Sequence, residues 1–220
     1  MQNGRPTTAR KRMTCALALA AIAVPLVAGP AAATITTTEA SKRAAAGVLK
    51  GSDLPGWTAL TSGSNDSASG DSSCSGVKSI KVLASSNSQF TNGLSIVISG
   101  TEVAASATSA KNDFKSLKTS HVLSCIKNKL LADEKSHGLQ SVSISRVTAR
   151  VSGSDDSTGY RLTMKGTSNG VKLEIDGYVV QARVGQSEIT VLSEKANSGS
   201  PSLSKTVGYA KTLAHRVRAA

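Results

Sequence analysis

Five residues, Gly166-Thr167-Ser168-Asn169-Gly170, fit the G-x-S-x-G spacing that presents a nucleophilic serine on a sharp turn, and Asp176 and His215 follow in the order a hydrolase triad requires. That chemistry needs a strand turning into a helix. Here Tyr160, Leu162 and Met164 alternate with polar residues before the pattern, and Val171, Leu173 and Ile175 alternate after it. The pattern therefore reads as the tip of a hairpin between two strands, with Asn169-Gly170 supplying the positive-φ residues of a tight turn. A hydrolase using Ser168 is the least favoured functional reading, and no catalytic residue is assigned.

The remaining reactive side chains are scattered. His121, His137 and His215 have no i,i+4 histidine partner, and only Cys125, four residues after His121, could bring two metal ligands together. Asp66, Asp71 and Asp155-Asp156 lack a calcium-loop pattern, and no phosphate-binding glycine motif occurs. No metal or cofactor is expected. Trp57, the one tryptophan, is expected to pack on the core, with stacking on a ligand as the alternative.

The address comes from the first 33 residues. Arg5, Arg10, Lys11 and Arg12 form a basic segment, the run 15–29 is an apolar core too short to span a bilayer, and Ala31-Ala32-Ala33 is an A-x-A-like cleavage site. Residues 1–33 thus read as a secretory signal, and residues 34–220 as one exported domain, secreted or held in the cell envelope. Cys15 begins the apolar core instead of ending it, which disfavours a lipoprotein. Export leaves Cys74 and Cys125, and two cysteines in an oxidising compartment most simply form one disulfide.

The chain carries 26 Lys and Arg against 14 Asp and Glu, a net charge of +12. Without the four basic residues of the leader the exported part keeps +8. Such a surface suits anionic envelope polymers or lipid head groups, although a merely solvated basic surface is the simpler reading. Nucleic acid is not expected, because the few aromatics are not interleaved with the basic residues.

These residues must be positioned by a mixed set of elements. Residues 39–49 favour a helix, with Thr38 as its cap, and Pro55-Gly56 turns the chain after it. The Ser/Gly-rich stretch 62–73 reads as a flexible loop. Strands are expected over 80–83 and 93–100, with 85–92 as the turn between them. Helical spacing runs from Val103 to Glu134 with a break near Thr119-Ser120. Residues 139–192 form an antiparallel meander of four strands, bulged near Arg146 and interrupted at Gly177. Ser202 then caps a final helix through Val217. The fold class is α+β, with an antiparallel sheet of about six strands packed against N-terminal, central and C-terminal helices.

This layout resembles a known family. A leader, a short helix running into Val48-Leu49-Lys50-Gly51-Ser52-Asp53-Leu54-Pro55-Gly56-Trp57, a cysteine, a helix carrying a second cysteine, a meander and a closing helix are similar to the secreted actinobacterial sensor-like proteins. These are in turn similar to the extracellular sensor domains of mycobacterial serine/threonine kinases. The resemblance implies an α+β sandwich with a groove for an unidentified ligand, and a PsbP-like α/β sandwich is the parallel fold analogy. The expected function is a non-enzymatic, exported ligand-binding or sensing module whose partner is a small molecule or an envelope component. A basic structural or adhesive envelope protein is the alternative. No ligand-binding residue is singled out.

Overall fold

A computed structural model of the chain describes residues 35–65, 80–135, 138–168, 170–197 and 199–220. The expected leader, Cys74, His137 and Asn169 lie outside the described residues.

The elements run in the order α1 (Thr37–Ala46), β1 (Thr58–Asn65), β2 (Val82–Asn92), β3 (Ser95–Ala104), α2 (Ala107–Ser116), α3 (Ser120–Glu134), β4 (Leu139–Val147), β5 (Asp156–Ser168), β6 (Val171–Val184), β7 (Ser187–Ala196) and α4 (Leu203–Ala219). Among the described residues one antiparallel sheet holds seven strands in the order β1-β2-β3-β7-β6-β5-β4. The chain builds one meander, crosses the sheet through α2 and α3 to the far edge, and returns through a second meander that ends beside the first.

Alternation of side chains splits the sheet into two buried faces. On one face Val97, Val180, Ala182, Ile189 and Val191 pack with Ala210, Leu213, Ala214 and Val217 of α4. Ala40 and Ala44 of α1 rest on Ala84 and Val103 beside them. On the other face Val142, Leu162 and Met164 lie under Leu130 and Leu131 of α3, and α2 lies over β3, β7 and β6. Both faces are therefore covered, which makes an α/β/α sandwich of the α+β class.

The helix caps follow side-chain chemistry. Thr36, Ser106, Thr119 and Ser202 each accept an amide hydrogen bond from the first turn that follows them. Ser202 caps α4 as expected, whereas α1 starts two residues earlier than the Thr38 cap would place it. The expected break in the central helix is the Leu117–Thr119 turn, and Val103 and Ala104 belong to β3 and precede the helix.

Among the described residues the sheet has one strand more than the expected six, and one of the expected strands is longer. Residues 62–65, read as loop, complete β1, which pairs with β2 from Thr58↔Thr91 to Asn65↔Ser85. Residues 85–92, read as a turn, are the body of β2, and the turn itself is Gly93-Leu94. Ser86 and Ser88 occupy inward positions of the kind apolar residues usually fill, and the Ser88 hydroxyl shares a 2.8 Å hydrogen bond with that of Ser99. The meander also differs at its start. No bulge occurs at Arg146, which pairs with Tyr160 in register, and the register shift lies between Leu139 and Ser141. Ala149 and Val151 leave the sheet and enter the core beside α4. Gly177 does not interrupt β6, which runs unbroken for 14 residues. Gly170 and Gly185 turn the two hairpins at φ 78° and 60°.

Candidate functional site

The meander's first connection builds a cleft. After β4 the segment 148–154 folds back over the start of β5 and is tied there: the Ser157 hydroxyl donates to the Ala149 carbonyl at 2.9 Å and accepts from the Val151 amide at 3.2 Å. Gly159 permits this approach, since a methyl group on it would stand 2.6 Å from the Ala149 Cβ. The α2–α3 turn closes the opposite side. Tyr160 Oη donates to the Leu117 carbonyl at 3.0 Å, and the Arg146 guanidinium donates to the carbonyl of Lys118. Between them lies an open cleft of about 810 Å³, lined by Lys118, Arg146, Thr148, Arg150, Asp155 and Asp156 among others.

The electrostatics of this cleft are unbalanced. Lys118 Nζ lies 2.6 Å from both carboxylate oxygens of Asp156 and 4.7 Å above the centre of the Phe114 ring. Asp155 accepts from the Gly185 amide at 2.7 Å, Arg218 at 2.7 Å and Arg183 at 3.2 Å. Burial alone would raise its pKa, but the Gly185 amide and the two guanidinium groups together hold it below the usual carboxylate range. Both carboxylates of the cleft are thus consumed by partners. Arg146 and Arg150 are exposed, line the cleft, and form no ion pair among the described residues.

A second cluster of titratable groups lies beside the first, on the sheet face under α2. Glu102 of β3 and Glu188 of β7 stand directly opposite one another, and Asp113 comes down on them from α2. Asp113 is only 3% exposed. Glu102 Oε1, Asp113 Oδ1 and Glu188 Oε1 are out of reach of water and have no hydrogen-bond partner. Burial, with Asp113 nearby, pushes Glu102 up to about 7. Asp113 rises to about 6 through burial, opposed by the Ser116 hydroxyl. Glu188 is raised well above a free glutamate by burial and by the two other carboxylates, with Arg183 opposing. Further along β7, burial alone raises Glu194 to about 7.

The hydrolase residues are not brought together. Ser168 ends β5 and Asp176 is held by Thr163 at 2.8 Å and Arg161 at 3.1 Å. His215, on α4, packs against Gly153, just before the opposite end of β5. Twelve residues of strand at about 3.3 Å each put roughly 40 Å between the two ends. His121 is exposed on α3. Among the described residues no three His, Cys, Asp or Glu side chains are placed to hold a metal ion. Trp57 is half-buried against the main core, as expected. Cys125 is half-buried on α3 against Val122, and its expected partner Cys74 lies outside the described residues. The sequence marks Arg146 only as a bulge position and gives no sign of Lys118, Arg150 or the three carboxylates as a site. The alternation of Arg146, Thr148 and Arg150 is the trace the cleft leaves in the sequence.

No family model matches the chain, and neither does any curated protein. Solved structures do. The chain is similar to the extracellular domain of PknH from Mycobacterium tuberculosis. The TM-score is 0.49 at 8% identity, covering 85% of this chain and 98% of that one. An uncharacterized protein from Mycobacterium smegmatis, the Rv0999 ortholog, aligns with a TM-score of 0.46 at 9% identity, covering 83% of this chain and all of that one. No helix among the described residues is long and apolar enough to cross a membrane.

Proposed function

We propose that this chain is an exported, non-enzymatic binding or sensing module whose cleft takes an oxyanion, phosphate or carboxylate, free or carried on an envelope component. The observation that carries this reading is the pair Arg146 and Arg150, two guanidinium groups facing an open cleft whose carboxylates are already engaged. A guanidinium fork matches both classes of oxyanion in a bidentate geometry, and it keeps its charge at any physiological pH. The separation of Ser168 from His215 supports the non-enzymatic part, and the leader over residues 1–33 supports export. Cleavage after Ala33 is checked by the intact mass of the secreted protein.

Calorimetric titration with pyrophosphate and with citrate tests the reading. A charged hydrogen bond contributes about 1.5–3 kcal/mol, or about tenfold or more in affinity. The variant R146A/R150A is therefore expected to lose at least about tenfold in affinity for whichever anion binds, and added salt to weaken binding to the parent chain. Absence of binding by either anion, or equal affinity in the variant, overturns it.

A further inference from the structure

We propose that Glu102, Asp113 and Glu188 make α2 a proton-held lever on the cleft: α2 stays seated while the three carboxyl groups hold protons and lifts when all are ionised, withdrawing Lys118. The inference rests on the binding reading for its consequence, but not for the movement itself.

The geometry supplies both halves of the lever. Glu102 and Glu188 are directly opposed on neighbouring strands, which puts their Cβ atoms about 5 Å apart, and like charges at that spacing repel. Asp113 adds a third carboxylate from the helix above. The facing elements offer little compensation. β6 contributes Arg183, which is already committed to Asp155 and to the Gly185 carbonyl; β2 opposes Glu102 with the uncharged Ser85. Lys111 and Lys115 of α2 are exposed, and Asp156 on β5 is held by Lys118. Among the described residues no histidine is a cause of the shifts of the three carboxyl groups. Each proton added, by contrast, removes a buried negative charge whose oxygen has no hydrogen-bond partner to compensate it. Asp113, at about 6, and Glu102, at about 7, ionise in the neutral range, and burial with the two neighbouring carboxylates raises Glu188 as well.

The other half is the coupling. Asp113 lies one turn before the end of α2, and the next residues are those that close the cleft. Phe114 underlies the Lys118 ammonium, Leu117 accepts from Tyr160, and the Lys118 carbonyl holds Arg146. Raising this turn would pull Lys118 from Asp156 and release Arg146. Protons thus favour the assembled cleft, so anion affinity is highest on the acid side.

The exported chain, residues 34–220, is compared at pH 5.5 and pH 8.0 at constant ionic strength, with inorganic sulfate as the probe because it stays fully ionised across that range. Two readouts are taken: sulfate affinity, and hydrogen exchange of α2 relative to α4 after correction for intrinsic rates. Both should change by about tenfold or more, with α2 less protected and sulfate weaker at pH 8.0. Either single substitution, E102Q or D113N, imitates the protonated state and should suppress both changes, and using the two separately guards against one that misfolds. Unchanged α2 protection in the parent chain, or a pH response that persists in both variants, overturns the lever. Sulfate binding with an affinity independent of pH overturns it too, while leaving the binding reading intact. Failure of sulfate to bind at either pH counts against the binding reading, and the lever is then decided by the α2 exchange alone.

Discussion

Asp53 shows how one side chain joins distant parts of this molecule. Its carboxylate caps the turn at 51–53 by accepting from the Lys50 amide at 2.8 Å, and it takes both Arg216 nitrogens of α4 at 2.8 and 2.5 Å. Arg216 holds its pKa below the usual carboxylate range against the opposing effect of burial. A depressed pKa adds stability at pH values above that of the unfolded chain, and this is lost as pH falls through the folded value. D53N should therefore cost about 1–3 kcal/mol at neutral pH, with the difference from the parent vanishing in acid. Urea unfolding of both proteins at pH 7 and pH 2.5 checks it. Asp53 was visible in the sequence as part of the Gly51–Trp57 turn, but its partner, 163 residues away, was not. The same holds for Glu102 and Glu188. Each lies in a strand whose alternation is readable, yet only the β3–β7 pairing puts the two carboxylates face to face.

Strand β2 marks the limit of periodicity as a guide to elements. Its inward positions are Val82, Ala84, Ser86, Ser88 and Phe90, and two serines in that row look like a turn when hydrophobicity alone is counted. The sheet tolerates them because their hydroxyls are used. Ser99 Oγ accepts from the Leu49 amide at 2.8 Å and shares a hydrogen bond with Ser88, and the Thr101 hydroxyl donates to the Gly47 carbonyl at 2.6 Å. These polar contacts end α1 and fasten it to the sheet. S99A leaves the buried Leu49 amide without an acceptor, so a loss of about 1–3 kcal/mol is expected. Hydrogen exchange should place that loss at α1 and not at α4. Equal loosening of both helices would mean that the hydroxyls do not anchor α1. The meander and α4 were legible because their inward positions are apolar and their turns carry Asn-Gly or Gly, whereas the cleft depends on a segment, 148–154, that leaves the sheet for tertiary reasons.

Across the whole molecule, two sets of carboxylates pull the pH dependence of stability in opposite directions. Asp53, Asp155 and Asp176 are depressed below 3.8, so below that value the unfolded chain binds more protons and stability climbs with pH. Asp113, Glu102 and Glu194 are raised to about 6, 7 and 7, and Glu188 is raised as well. Between the ordinary range near 4 and those raised values the folded chain holds more protons than the unfolded one, so stability falls as pH rises. The maximum should therefore lie in the ordinary carboxylate range, near 4, and the protein should be less stable at pH 8 than at pH 5. Glu194 gives the sharpest test because burial is the sole cause of its shift and it is only 4% exposed. E194Q removes the charge that must be carried into the sheet above pH 7. Its melting temperature relative to the parent should improve from pH 5 to pH 8, by an amount that flattens the alkaline limb of the parent's profile. A parent whose melting temperature rises steadily from pH 5 to pH 8 would show that these carboxylates ionise in the folded chain at ordinary values, and that the sheet under α2 is wetter than its packing indicates.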